Sequence, residues 1–150
     1  MRATQLAPGD LISEYYLAFA LERRGNISEA VTHLESVARR EPTFADTCYR
    51  LGYLHQQQGN FEEALHWYAV ELEDDPSCLD CRLAMVECHL QKADSGVAVS
   101  ILDSILIQDI DEAASLQKLG DLYMECEMYE KAIPAYEKAT SLGEQVERER

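Results

Sequence analysis

Cys78-x-x-Cys81 followed by Cys88-His89 is the grouping in this 150-residue chain best suited to chemistry. Three thiolates and an imidazole at such spacings would suit a tetrahedral zinc ion. Cys81 and Cys88 are seven residues apart, which places them on one face of a helix. His89, however, falls in register with Leu21 and Tyr123, and Cys48 and Cys126 also fall on packing faces. The sequence therefore predicts small buried thiols and no metal site. The odd total of five cysteines does not resemble a disulfide framework. It predicts reduced thiols, a reducing compartment and a cytoplasmic protein. His33, His55 and His66 are scattered, and no Ser/His/Asp set, phosphate-cradling glycine loop or paired-carboxylate pocket occurs. Glu62-Glu63 and Glu71-x-Glu73-Asp74-Asp75 read as solvated helix faces, and Asn26-Ile27-Ser28 reads as a helix cap rather than a glycosylation site. These residues predict no enzyme, no catalytic group and no cofactor.

The elements that carry these residues repeat. At a shift of 34 residues Ala30, Ala64, Ala98 and Ala132 align, as do Leu17, Leu51, Met85 and Leu119. Leu34, Tyr68, Leu102 and Tyr136 form a third series, and Pro8, Pro42, Pro76 and Ile110 a fourth. A fixed period of this length means stacked units, each burying its apolar face on its neighbours. The units are 11–44, 45–78, 79–112 and 113–146, each a helix, a tight turn and a second helix. Residues 1–10 are expected to be the tail of a preceding repeat helix, as in a chain excised from a longer array, with the first full helix starting near Ile12. Residues 147–150 are expected to be a charged tail.

Glycine tolerates a left-handed backbone, so Gly25 and Gly59 are expected to end the first helices of their units. Asn26 and Asn60 are expected to cap the second helices. Thr43-Phe44-Ala45-Asp46 and Ser77-Cys78-Leu79-Asp80 read as capping boxes at the joints, with Asp111 in the equivalent place before the fourth unit. The third and fourth turns, Ala93-Asp94-Ser95 and Cys126-Glu127-Met128, lack glycine. A left-handed Glu127 there would cost about 1–2 kcal/mol.

The formal charge is −15. It is concentrated in residues 45–78 (seven acidic side chains against one basic) and 79–112 (seven against two). Such a surface repels phosphate backbones and anionic lipid, which excludes nucleic acid and membrane as expected partners. No apolar run approaches the roughly 20 residues of a membrane span.

Leu51-Gly52, Gly59, Phe61, Ala64, Tyr68 and Pro76 resemble the tetratricopeptide repeat, as do Leu119-Gly120, Tyr123, Tyr129, Ala132, Tyr136 and Ala139. The resemblance covers residues 11–146. It implies an all-α fold, an α-solenoid in which four helix-turn-helix repeats stack into a right-handed superhelix. Ala18, Gly52, Gly120 and the register alanines would sit where helices approach most closely.

The family resemblance also implies a role. Members act as scaffolds that hold a peptide or protein segment in a concave groove lined by the first helix of each repeat. Carried over by register, the groove places are Tyr15, Phe19 and Glu22; Tyr49, Tyr53 and Gln56; Leu83, Glu87 and Leu90; and Gln117, Asp121 and Met124. The chaperone-binding carboxylate clamp is not matched. Its places hold Tyr15, Phe19, Arg50, Asp80 and Ala84, of which only Arg50 is basic. A tyrosine-lined groove for proline-rich segments fits Tyr15, Phe19, Tyr49 and Tyr53 better. The expected function is thus a non-catalytic protein–protein interaction scaffold, with a basic or aromatic and proline-containing peptide as partner. Two alternatives are a regulatory or substrate-docking arm of a larger enzyme, and self-assembly by end-to-end stacking into a homo-oligomer.

Overall fold

The computed structural model describes residues 8–106 and 108–150. Among them the chain is all-α, with eight helices in four hairpins and no strand. These are α1 (Pro8–Arg24), α2 (Ile27–Arg40), α3 (Thr47–Gln57), α4 (Phe61–Asp74), α5 (Leu79–Gln91), α6 (Ser95–Leu106), α7 (Ala113–Glu125) and α8 (Tyr129–Arg148). They form two compact units that divide between Pro76 and Ser77, each containing two hairpins.

The four hairpin turns share one geometry. Gly25 and Gly59 have φ of 94° and 79°, and the in-register Ala93 and Glu127 have φ of 62° and 58°. In each turn the next residue's amide reaches back to the helix. Asn26 N–H donates to Leu21 O (2.8 Å), Asn60 to His55 O (2.9 Å), Asp94 to His89 O (2.8 Å) and Met128 to Tyr123 O (2.8 Å). This is the Schellman motif, which satisfies carbonyls that a helix end leaves unpaired. Glycine makes it cheap in the first unit. Ala93 and Glu127 adopt it against their own preference, because the register of the flanking helices imposes it.

The helix starts differ from expectation. Asn26 and Asn60 stand at the N-cap positions, but neither side chain makes a capping bond. α3 starts after Asp46, and Thr43 bonds Glu41 (3.0 Å) instead of a helix amide. The N-caps of α5 and α7 are Cys78 and Glu112, not Ser77 and Asp111. α1 starts at Pro8, four residues before Ile12. A proline suits a first helical position, where its missing N–H removes no bond. The rest of the expected N-terminal tail lies outside the described residues. At the other end α8 runs on to Arg148 with Pro134 inside it.

Packing follows the register. Ala30, Ala64 and Ala98 are fully buried and Ala132 nearly so. Ala18, Leu34, Cys48, Leu51 and Leu54 centre the core of the first unit, with Trp67 and Val70 against it. Val86, Leu102, Ile105, Leu119 and Tyr123 centre the second. Ile110, in the place of the joint prolines, is buried there too. Facing positions exchange volume. A Cβ built on Gly52 would lie 2.5 Å from the ring of Tyr68, and one on Gly120 would lie 2.7 Å from the ring of Tyr136. Where the first position carries Ala18 or Val86, the facing residue is Leu34 or Leu102. Interiors at crystal-like density accept such swaps only in matched pairs.

Candidate functional site

α1 and α3 supply the candidate surface of the first unit. Tyr15, Phe19 and Glu22 are spaced i, i+4, i+7, as are Tyr49, Tyr53 and Gln56, so each set shares one helix face. The residue that draws the first set together is Arg50, which the sequence weighed only as part of a clamp. Its Nη1 donates to Glu22 Oε2 (3.0 Å), and its Nε to Tyr15 Oη (3.1 Å) and Asp46 Oδ1 (3.3 Å). The guanidinium also lies 4.7 Å from the centre of the Phe19 ring, a cation–π distance. Tyr15 O–H donates to Asp46. Burial, then this bond, raises the pKa of Tyr15. Tyr16, which the sequence did not single out, stands edge-on to Tyr15 and is largely exposed.

The second set is divided. Tyr53 is 42% exposed and accepts a hydrogen bond from Gln57 (2.8 Å). Tyr49 stacks obliquely on the buried Tyr68 (5.8 Å), and Gln56 accepts the Tyr68 hydroxyl proton (2.7 Å). Both therefore serve the packing of α3 on α4. Phe19 and Tyr53 are the predicted aromatics of this unit that reach the surface, and the Phe19 ring carries the guanidiniums of Arg50 (4.7 Å) and Arg23 (5.9 Å).

In the second unit, α5 and α7 bring Glu87, Gln117 and Asp121 to one cleft of about 400 Å³, together with Ala114, Lys118, Leu122 and Glu125. Lys118 Nζ pairs with Glu87 (2.9 Å). Asp121 accepts from Tyr136 O–H (2.5 Å), which raises the pKa of that phenol. One ammonium stands among three carboxylates, so the cleft is acidic. Lys118 and Glu125 were not read from the sequence. Met124 is 45% exposed. Leu90 is half-buried, packs on the core and borders a second cleft with Ser95, Glu125 and Glu127.

Leu83 corrects the expected groove. Its relative exposure is 1%, inside the core that holds Val86 and Leu102. An apolar side chain at this register is worth about 2 kcal/mol when withdrawn from water, and the neighbouring core provides the space.

The cysteines also correct the sequence. Cys78 and Cys81 are joined in a disulfide, with Cα atoms 5.4 Å apart. The first turn of a helix brings residues i and i+3 to this separation, which spacing alone does not reveal. Cys48, Cys88 and Cys126 are free. Burial pushes Cys48 and Cys88 up to about 11, values at which a thiol is inert near neutrality. Among the described residues no group of three or more His, Cys, Asp or Glu side chains is placed to hold a metal ion. His55 is buried 3.6 Å from Glu35, and His89 lies 3.8 Å from Asp94. Outside both surfaces, Tyr123 and Lys131 converge on Asp103 (2.9 and 2.7 Å). The Lys131 bond holds that carboxyl below its ordinary value.

Comparison with known proteins fits this arrangement of hairpins. The family model described as anaphase-promoting complex, cyclosome, subunit 3 matches residues 23–105, more than half of the chain. The chain belongs to that family. A tetratricopeptide-repeat model matches residues 113–145, in agreement with the repeat read from the sequence. "Anaphase-promoting complex subunit 7" of Arabidopsis thaliana is 26% identical over 147 residues. The match covers 97% of this chain and 26% of the relative, so the chain spans about a quarter of that protein's length.

Solved structures of low identity share the fold. A crystal structure of MamA aligns with a TM-score of 0.76 at 14% identity, over 94% of this chain and 82% of that one. MamA from Desulfovibrio magneticus RS-1 aligns at 0.74 and 17% identity, over 92% and 78%. A tetratricopeptide-repeat protein from Parabacteroides merdae aligns at 0.74 and 19% identity, over 89% and 54%. The helix pairs of this chain thus share the fold of tetratricopeptide-repeat hairpins.

Proposed function

We propose that this chain is a non-catalytic protein–protein interaction module that holds a basic, extended segment of another protein. The single observation that carries the reading is the acidic cleft of α5 and α7, where Glu87, Asp121 and Glu125 outnumber Lys118. The first unit separately presents Tyr53 and the partly exposed Phe19, which suit the apolar stems of lysine or arginine and the ring of proline. The Arabidopsis relative is, by its name, a subunit of a multi-subunit assembly. By extension, this chain supplies one contact within a complex of the same kind.

The test is fluorescence anisotropy with a labelled peptide alternating Lys-Arg with Pro and Tyr, compared with its Lys/Arg→Glu counterpart. Asp121→Asn with Glu125→Gln should weaken binding about 10-fold and flatten its salt dependence. Phe19→Ala with Tyr53→Ala should weaken it by a similar factor at any salt concentration. Equal binding of the acidic peptide, or no loss in either double variant at unchanged helical circular dichroism, would sink the assignment.

A further inference from the structure

Among the described residues one link recurs at the starts of α3, α5 and α7, by three chemistries. Residues 44 and 47, 78 and 81, and 112 and 115 occupy equivalent places at the start of α3, α5 and α7. Thr47 Oγ1 donates to Phe44 O (2.6 Å), and Ser115 Oγ donates to Glu112 Oε2 (2.5 Å). Between Cys78 and Cys81 the link is covalent. The second member is buried in all three cases. Two helix starts therefore close this link without sulfur, so the fold does not require a disulfide at the third. A covalent bond where a hydrogen bond suffices adds one property that the others lack, which is that it can be reduced.

We propose that Cys78–Cys81 is a thiol–disulfide exchange site, a reducible lock on the first turn of α5. The co-reactant is a small thiol or dithiol. Cys81 has no exposed surface, whereas Cys78 is partly exposed, so the incoming thiolate meets Cys78 Sγ. A bond forms between that sulfur and Cys78, and the Cys78–Cys81 bond breaks. Cys81 leaves with the electron pair and takes a proton from water. A second thiolate then attacks the incoming sulfur, forms the small-molecule disulfide and releases Cys78, which is protonated in turn. Two electrons have passed from the thiols to the pair. The reduced state keeps a cap, since the Cys81 N–H points at Cys78 Sγ (3.3 Å). It is a weak one, because a thiol sulfur is a poor acceptor. Reduction thus loosens the start of the helix that carries Glu87 and Leu90.

The test uses the full chain, equilibrated natively in glutathione buffers from oxidised to reduced and in excess reduced dithiothreitol. Samples are quenched in acid, unfolded, alkylated and mapped by mass spectrometry. Cys78 and Cys81 should pass together from disulfide to dithiol, with mixed glutathione disulfide on Cys78 and none on Cys81. Cys48 and Cys88 should stay thiols throughout. Reduction should lower Tm by about 5 °C, as expected for opening a four-residue ring. Cys78→Ser and, separately, Cys81→Ser should match the reduced protein and ignore the buffer. Two thiols in oxidised glutathione, a bond that survives dithiothreitol, glutathione on Cys81, or a Tm indifferent to reduction would each overturn the proposal.

Discussion

Replacing Gly52 by alanine tests whether helix pairs are matched by volume. In an unobstructed helix the change would stabilise by about 1 kcal/mol through propensity alone. Here the new methyl would stand 2.5, 2.6 and 2.9 Å from three carbons of the Tyr68 ring, against a comfortable contact of roughly 3.5–4.0 Å. The ring would have to retreat by about 1 Å. It has nowhere to go, because Tyr68 is fully buried, its hydroxyl is held by Gln56 and its face lies against Tyr49. Overpacking of this kind costs about 1–3 kcal/mol, so Gly52→Ala should destabilise by up to about 2 kcal/mol net of the propensity gain. In a Tyr68→Leu background the same change should instead stabilise by about 1 kcal/mol, since Ala18 and Val86 already coexist with leucine across the same gap. Trp67, the sole tryptophan, packs on the core of the unit that holds Gly52. Urea unfolding followed by its fluorescence therefore reads the double-mutant cycle directly. The reasoning is refuted if Gly52→Ala has the same sign of effect in both backgrounds.

Ala93→Gly and Glu127→Gly should each stabilise by about 0.5–1 kcal/mol, the left-handed penalty less the added freedom of the unfolded chain. Gly25→Ala, at φ of 94° with nothing near its Cβ, should cost about 1–2 kcal/mol from the backbone alone; thermal melts of the three variants decide. Cys48 and Cys88, with pKa values raised from 9.0 to about 11, remain neutral in the fold while the unfolded chain ionises. Their contribution to stability is therefore complete below about pH 9 and is lost as pH rises to about 11. Unfolding free energy should fall over that window, and less so in a Cys48→Ala, Cys88→Ala double variant. A slope identical in the two proteins would contradict the burial argument.

The period of 34 residues carried most of the fold, because a repeat averages out local ambiguity. Gly25 and Gly59 marked the turns, and their register fixed Ala93 and Glu127 in the same backbone state although neither residue favours it. Register also placed Phe19, Tyr53, Glu87, Gln117 and Asp121 on accessible faces. It failed where side-chain partners decide the outcome. Leu83 shares the groove register but turns to an apolar neighbourhood, since burial outweighs position. Asn26 and Asn60 look like caps, yet neither side chain bonds a helix amide, and that of Asn26 donates to Glu29 Oε1 (3.4 Å) instead. The link between Cys78 and Cys81 depends on the separation of two atoms in a helical first turn, which cysteine counting does not contain.

Arg50 shows why the rest of the site was not legible. Its type and position mark it as an isolated cation on an acidic repeat, the one basic residue among seven acidic ones. Isolated, it would have been a candidate to grip an anion. Instead Glu22, Asp46, Tyr15 and the Phe19 ring surround it from two helices. An arginine already paired with two carboxylates has little residual field to offer a third, because its nearest charges cancel it at contact distance. The same holds for Lys118 on Glu87. Arg50 and Lys118 are therefore spent on internal partners, and the exposed Arg23 lies over the Phe19 ring (5.9 Å). The acidic excess itself is legible in the composition of residues 45–112; which cations are neutralised depends on pairing across helices that no single segment of sequence displays.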